Sequence, residues 1–238
     1  MTNSDLIDAL HSIDSSINYN RWLYKSIEQD LRCAERVLDV GSGIGSIGQY
    51  LGEDGAKEII LSDTCEKMLN SLNERFNHLS NYQVTKLDIT GEELSSSVQL
   101  ESVDAITCIN VLEHIKEDTK ALQNMRSLLR PSGRLLLIVP AVSWLYGSLD
   151  ALAGHHRRYE RKELNKKLNE NGYIVEEQRF MNFFGIFTWY LAGKILKQNK
   201  FNNTTNRSLD KLVPFLEFIE RYLRFPIGQS IITCCKKV

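Results

Sequence analysis

The stretch Arg36-Val37-Leu38-Asp39-Val40, running into Gly41-Ser42-Gly43-Ile44-Gly45-Ser46-Ile47-Gly48, is where the fold is decided. Residues 36–40 read as a buried strand. The glycines that follow break it, and a short helix is expected to about Leu51. Glycine adopts positive φ without strain and lacks the Cβ that would keep a ligand away from the backbone. The free N–H groups of a helix start favour an anion or a carbonyl-rich ligand. A plain tight turn is the bland alternative, but three alternating glycines lose much chain entropy for a turn alone. Gly43-x-Gly45-x-x-Gly48 also satisfies the dinucleotide fingerprint, with Asp63 twenty residues beyond Gly43. Asp39 tips the reading. A carboxylate two residues before the turn suits an ammonium group and repels a pyrophosphate.

Outward from this turn, strand and helix alternate. Strands are expected at 57–63, 82–88, 103–109 and 133–140. Helices are expected at 65–77, with Thr64 as cap, and at 118–130, stopped by Pro131 and Gly133. The segment 103–109 is almost wholly apolar, as a strand buried on both faces must be. This rhythm predicts an α/β, doubly wound, mostly parallel sheet. Ahead of it, helices are expected at 4–13 and 19–32. Beyond Pro140 the rhythm loosens. A short helix or loop is expected at 142–152, then a helix at 160–171 and a strand at 173–180. An apolar stretch at 183–196, a helix at 208–223 and a last strand at about 229–236 complete the chain.

Composition narrows the class. In 238 residues, 42% hydrophobic and 25% charged side chains fit a globular protein. Twenty-nine basic against 30 acidic residues provide no field for a nucleic-acid backbone. Five cysteines without CxxC pairs, and no histidines at zinc intervals, give no reason to expect disulfides or a metal, and point to a reducing cytoplasm. The N-terminus is polar and acidic, unlike a signal peptide. No apolar run reaches the ~20 residues of a membrane span. The absence of a linker predicts one domain: helices over 1–34, a cofactor-binding core at 35–140, and a cap with the last strands at 141–238.

Taken together, VLDVGSGIG (37–45), LSDTCEKML (61–69), KLDIT (86–90), DAITCINVLEHI (104–115) and LLRPSGRLLLIVP (128–140) resemble, in order, the motifs of class I S-adenosylmethionine-dependent methyltransferases. The resemblance implies a Rossmann-like, seven-stranded sheet of order 3-2-1-4-5-7-6 with helical cap insertions. It implies S-adenosylmethionine as cofactor and S-adenosylhomocysteine as product. Asp39, Gly41, Ser42, Gly43 and Gly45 would border the methionine portion. Asp63 would accept both ribose hydroxyls, with Thr64 and Met68 in the same motif. Asp88 and Ile89 would face the adenine, and Asn110 and Val111 the sulfur. Tyr19 or Arg21, on an aromatic and basic helix, would reach the methionine carboxylate, unless that helix merely packs on the sheet.

On the acceptor side, Trp144, Tyr146, His155, Arg157, Arg158 and Tyr159 lie in a WLYG…D…GHxRRY segment similar to a bacterial subgroup of the family. The arginines either orient an anionic or polyhydroxylated acceptor or pin the loop by salt bridges. His155 or His114 could take a proton from a hydroxyl, while Glu113 and His114 could equally be packing elements. The aromatic run 180–191, with Lys194, Lys197 and Lys200 after it, is either a lipid-facing helix with weak membrane association or a buried cap. The expected function is methyl transfer, at oxygen, to a small-molecule, sugar or lipid-linked acceptor, with no nucleic-acid partner. An NAD(P)-dependent oxidoreductase and a non-catalytic cofactor-binding partner protein are the other readings of the same turn.

Overall fold

The computed structural model describes residues 16–52, 58–92, 94, 98–198 and 208–238. The helix expected over 4–13 lies outside them. The strands are β1 (Arg36–Val40), β2 (Glu58–Asp63), β3 (Tyr82–Lys86), β4 (Val103–Ile109), β5 (Leu129–Pro140), β6 (Tyr173–Met181) and β7 (Ser230–Lys237). They form one sheet of order β3-β2-β1-β4-β5-β7-β6. β7 pairs antiparallel to β5 and β6, and the remaining neighbours pair parallel. The chain reverses direction across the sheet between β1 and β4. A crevice opens at such a reversal, beyond the carboxyl ends of the strands.

The period-two pattern of the strands sorts side chains onto two faces. Leu38, Ile60, Ile106, Leu135 and Leu137 join one apolar cluster. Val37, Ile59, Leu61, Leu136 and Ile138 join the other. The first face is covered by helices Asp118–Leu128 (here α5) and Arg161–Glu170 (α7), through Leu122, Met125, Leu164 and Leu168. The second is covered by helices Ile17–Lys25 (α1) and Glu66–Phe76 (α4), through Leu23, Leu72 and Phe76. Short helices Glu28–Leu31 (α2), Gly48–Leu51 (α3) and Ser148–Ala153 (α6) link these layers. Helix Gly185–Trp189 (α8) widens into a π-helical turn, Tyr190–Ile195, and Val213–Tyr222 forms α9.

Several segments differ from expectation, beginning with the helix expected over 19–32, which a turn at 26–27 breaks into α1 and α2. The β5 segment begins at Leu129, because Pro131 cannot continue a helix. Leu129 pairs with Val103 before the register shifts at Ala105. The helix expected over 208–223 is interrupted: residues 208–210 are helical, a turn follows at 211–212, and α9 starts at Val213, where Pro214 fits the first turn, since its missing N–H would be unpaired there anyway. Thr64 does not cap α4. Cys65 occupies the cap position, and no side chain bonds there. The 183–196 stretch is not a buried cap: Phe187, Leu191, Ile195 and Leu196 are exposed. Among the described residues no helix is long and apolar enough to cross a membrane.

Candidate active site

Residues just past the parallel strands' carboxyl ends turn sharply into positive φ. They are Gly41 after β1 (+71°), Asn110 after β4 (+53°), Val142 near the end of β5 (+67°) and Asn182 after β6 (+60°). For a β-branched residue such as Val142 this backbone is strained, and strain of that kind gathers at functional sites. Gly41 has a second reason to be glycine. A Cβ there would stand 2.5 Å from Cγ2 of Val111, the residue that crosses over the turn from β4. At Gly45 (φ +82°) a Cβ would collide with the Phe76 ring. The turn therefore fits tightly between β4 and α4.

Asp63 ends β2 and is bound into this turn. Its Oδ2 accepts the Gly43 N–H at 3.0 Å, and its Oδ1 accepts the Cys65 N–H at 2.9 Å. Each carboxylate oxygen keeps a second lone pair for a ligand hydroxyl. Asp39 is buried, and its Oδ1 accepts the Thr107 hydroxyl at 2.6 Å. Burial raises its pKa to about 6, helped by the charge of Asp63 and opposed by hydrogen bonds from Thr107 and Ser42. A cationic group arriving beside it would restore the charged form. Ser42 crosslinks the two strand ends: its Oγ donates to the Asp39 carbonyl and accepts the Ser62 N–H.

The other expected cofactor residues separate. Asp88 is exposed and turned onto Thr90, whose hydroxyl and N–H lower its pKa. Ile89 is buried in the core, Met68 is buried on α4, and Thr64 is exposed. Asn110 is exposed at the strand end. Tyr19 stands by Asn182 and Ser230, on the β6–β7 side of the sheet. Burial raises its pKa, against hydrogen bonds from both. Arg21 is exposed on α1.

The GHxRRY segment is organised around Asp150, to which sequence reasoning gave no role. This fully buried carboxylate accepts from the Gly147 N–H, from His155 Nδ1 at 3.0 Å, from Arg158 Nε at 2.7 Å and from Trp189 Nε1 at 2.9 Å. Burial alone would raise its pKa, but these partners lower it. The expected acceptor contact by Arg158 is corrected here. Its side chain is 1% exposed, paired with Asp150, bonded to the Ala141 carbonyl and stacked over Trp189. Tyr159 is corrected likewise, since it is buried with its hydroxyl on Asp118. Arg157 also bridges to Asp118. Of the acceptor-side set, Trp144 is exposed and Tyr146 donates to the His155 carbonyl at 2.8 Å.

His155 and His114 do come together. Their rings meet edge to face with centroids 4.8 Å apart. The bond to Asp150 is satisfied by the tautomer with its proton on Nδ1, which leaves a lone pair on Nε2. That atom lies 3.9 Å from Glu113 Oε1. Glu113 is fully buried, and neither of its oxygens has a hydrogen-bond partner among the described residues. Burial raises its pKa to about 8. His114 is exposed at the surface of this group. Partial burial together with the His155 ring lowers its pKa to about 4.

A family model described as a methyltransferase domain matches residues 38–135. A ubiquinone biosynthesis O-methyltransferase of Xanthomonas oryzae pv. oryzae is 30% identical over 122 residues, 51% of this chain and 49% of that protein. A highly reducing polyketide synthase of Strobilurus tenacellus is 26% identical over 164 residues, 58% of this chain and 6% of that protein. The chain thus spans at most about half the length of these relatives. An S-adenosylmethionine-dependent methyltransferase structure from Mesorhizobium loti superposes with a TM-score of 0.59 at 13% identity, over 85% of this chain and 90% of that one. At that identity the likeness is one of fold.

Proposed function

We propose, for a chain whose residues 38–135 match a methyltransferase-domain family model, that the whole protein is a class I S-adenosylmethionine-dependent methyltransferase that methylates an oxygen of a small-molecule, sugar or lipid-linked acceptor and releases S-adenosylhomocysteine. The observation that carries this reading is the bond between the Gly43 N–H and Asp63. It places an acid suited to a ribose diol against a turn suited to an amino-acid tail. When bound, the cofactor supplies a methyl group already made electrophilic by its sulfonium. The protein's work is then to hold two reactants in line.

In this proposal Asp63 accepts the ribose hydroxyls, and Asp39 with Gly41–Gly45 receives the methionine end. Asn110 and Val111 border the reacting sulfur, at the reversal point of the sheet. The acceptor enters over the 141–198 side, and the Glu113–His114–His155 group activates its hydroxyl. Oxygen is favoured because the Xanthomonas relative is named an O-methyltransferase and because His155 holds Nε2 open. The exposed apolar side chains of α8, its π-helical turn and α9 support an apolar or lipid-linked acceptor.

Isothermal titration tests the cofactor. Heat on adding S-adenosylhomocysteine and none on adding NAD(H) is expected, and the opposite pattern would replace methyl transfer by hydride transfer. Mass spectrometry of product from a host extract supplied with methyl-labelled cofactor then identifies the acceptor. Label on nitrogen or carbon would refute the choice of oxygen.

A further inference from the structure

We propose that Glu113, His114 and His155 hold a divalent first-row transition metal ion, of the zinc class, beside the carboxyl end of β4. One ligand atom from each lies within 4.8 Å of the others. The set is two imidazoles and one carboxylate, a donor combination suited to such ions and one that leaves positions open for water or an acceptor oxygen. Around zinc, with bonds of about 2.0–2.2 Å, tetrahedral ligand atoms stand roughly 3.4 Å apart. His114 stands at the solvent side of the group, where a turn of its ring against His155 would close that difference.

Two further observations point to an ion. The first is Glu113: its side chain is 1% exposed, and both oxygens lack a hydrogen-bond partner among the described residues. A buried carboxylate in that condition is costly unless a cation or donor meets it. Arg158, the guanidinium of this region, is already committed to Asp150 and Ala141. The second is the support behind His155. Its Nδ1 is held by Asp150, which is held in turn by Arg158, Trp189 and the Gly147 N–H. A histidine that binds a metal through one nitrogen usually gives the other N–H to a carboxylate, which fixes its tautomer and raises its basicity.

The site itself does not depend on the proposed function. Its task does: given that reading, the ion would bind the acceptor hydroxyl and lower its pKa, so that the oxygen attacks without a separate strong base. The test uses the full chain stripped with chelator, titrated with Zn2+ by calorimetry and with Co2+ by visible absorption. The expected result is one ion per chain at micromolar affinity or tighter, with Co2+ d–d bands. Glu113→Gln and His155→Asn are each expected to weaken Zn2+ at least 100-fold. His114→Ala, at an exposed position where folding is not at risk, should weaken it at least 10-fold, and His78→Ala should leave it unchanged. Absence of stoichiometric Zn2+ binding and of Co2+ bands in the wild type overturns the proposal. Undiminished Zn2+ affinity in His114→Ala and in a folded Glu113→Gln does so equally. S-adenosylhomocysteine is titrated into the same samples. Nucleoside binding without zinc binding sinks the metal site alone, whereas zinc binding without nucleoside binding sinks the methyltransferase reading and leaves the site standing.

Discussion

At Asp63, two backbone donors already occupy one lone pair on each oxygen, so the carboxylate is fixed before any ligand arrives. Replacing it with alanine is expected to weaken S-adenosylhomocysteine by about 2–3 kcal/mol, the scale of charge-assisted hydrogen bonds. Calorimetry reads this as roughly 30- to 150-fold in Kd, and unchanged affinity would remove Asp63 from the site. Arg158 makes the opposite kind of prediction. Arg158→Met strands the buried Asp150 carboxylate and should destabilise the fold by about 3–5 kcal/mol in urea titrations. An acceptor-binding arginine would instead raise KM and leave stability alone. Both positions were visible as motif residues, but their tasks were not equally legible. Asp63 could be read because it stands in a strand-end motif that likeness to other chains assigns to the ribose. Arg158 was left between an acceptor contact and a salt bridge, because its burial against Trp189, far along the chain, comes only with folding.

Among the elements, the glycine turn and α4 act as one unit. Gly45→Ala forces a Cβ into the Phe76 ring at positive φ. Backbone conformation alone costs about 1–2 kcal/mol, so a lowered melting temperature and weakened nucleoside binding are expected together. A second junction is Asp118, the first residue of α5. It accepts from Lys167 of α7 at 2.6 Å and from Tyr159 at 2.9 Å, and bridges to Arg157 at 2.8 Å. Burial would raise its pKa, but these donors and charges lower it. A folded-state pKa below the unfolded one means that the unfolded chain binds more protons. The junction's stabilisation is thus complete above the ordinary carboxylate pKa of about 4 and is lost as pH falls below it. Asp118→Asn should flatten the acid limb of a stability–pH curve, and an unaltered limb would show that the junction carries little.

Over the whole molecule, the described surface carries an apolar side that the core does not use. Phe215, Phe218 and Tyr222 of α9 are 65%, 61% and 70% exposed, and Phe187, Leu191 and Ile195 lie on α8 and its π-helical turn. Lys194 and Arg221 are exposed along the same elements, and Lys211 in the turn just before α9. In the proposed function this side meets lipid. Phe215→Asp with Phe218→Asp should abolish flotation with anionic vesicles and leave the melting temperature unchanged. Flotation equal to the wild type would remove the lipid-linked acceptor from consideration. The amino-acid sequence determined the strand–helix alternation, the parallel core and the glycine turn, because these depend on local periodicity and on backbone conformations that few residues allow. It carried the strand order only through likeness to other chains. Tertiary structure alone decided that Arg158 and Tyr159 are internal ties, that 183–196 faces outward, and that His155 returns to Glu113 and His114. Those outcomes depend on which distant segments share a buried volume, and spacing along the chain holds no record of that.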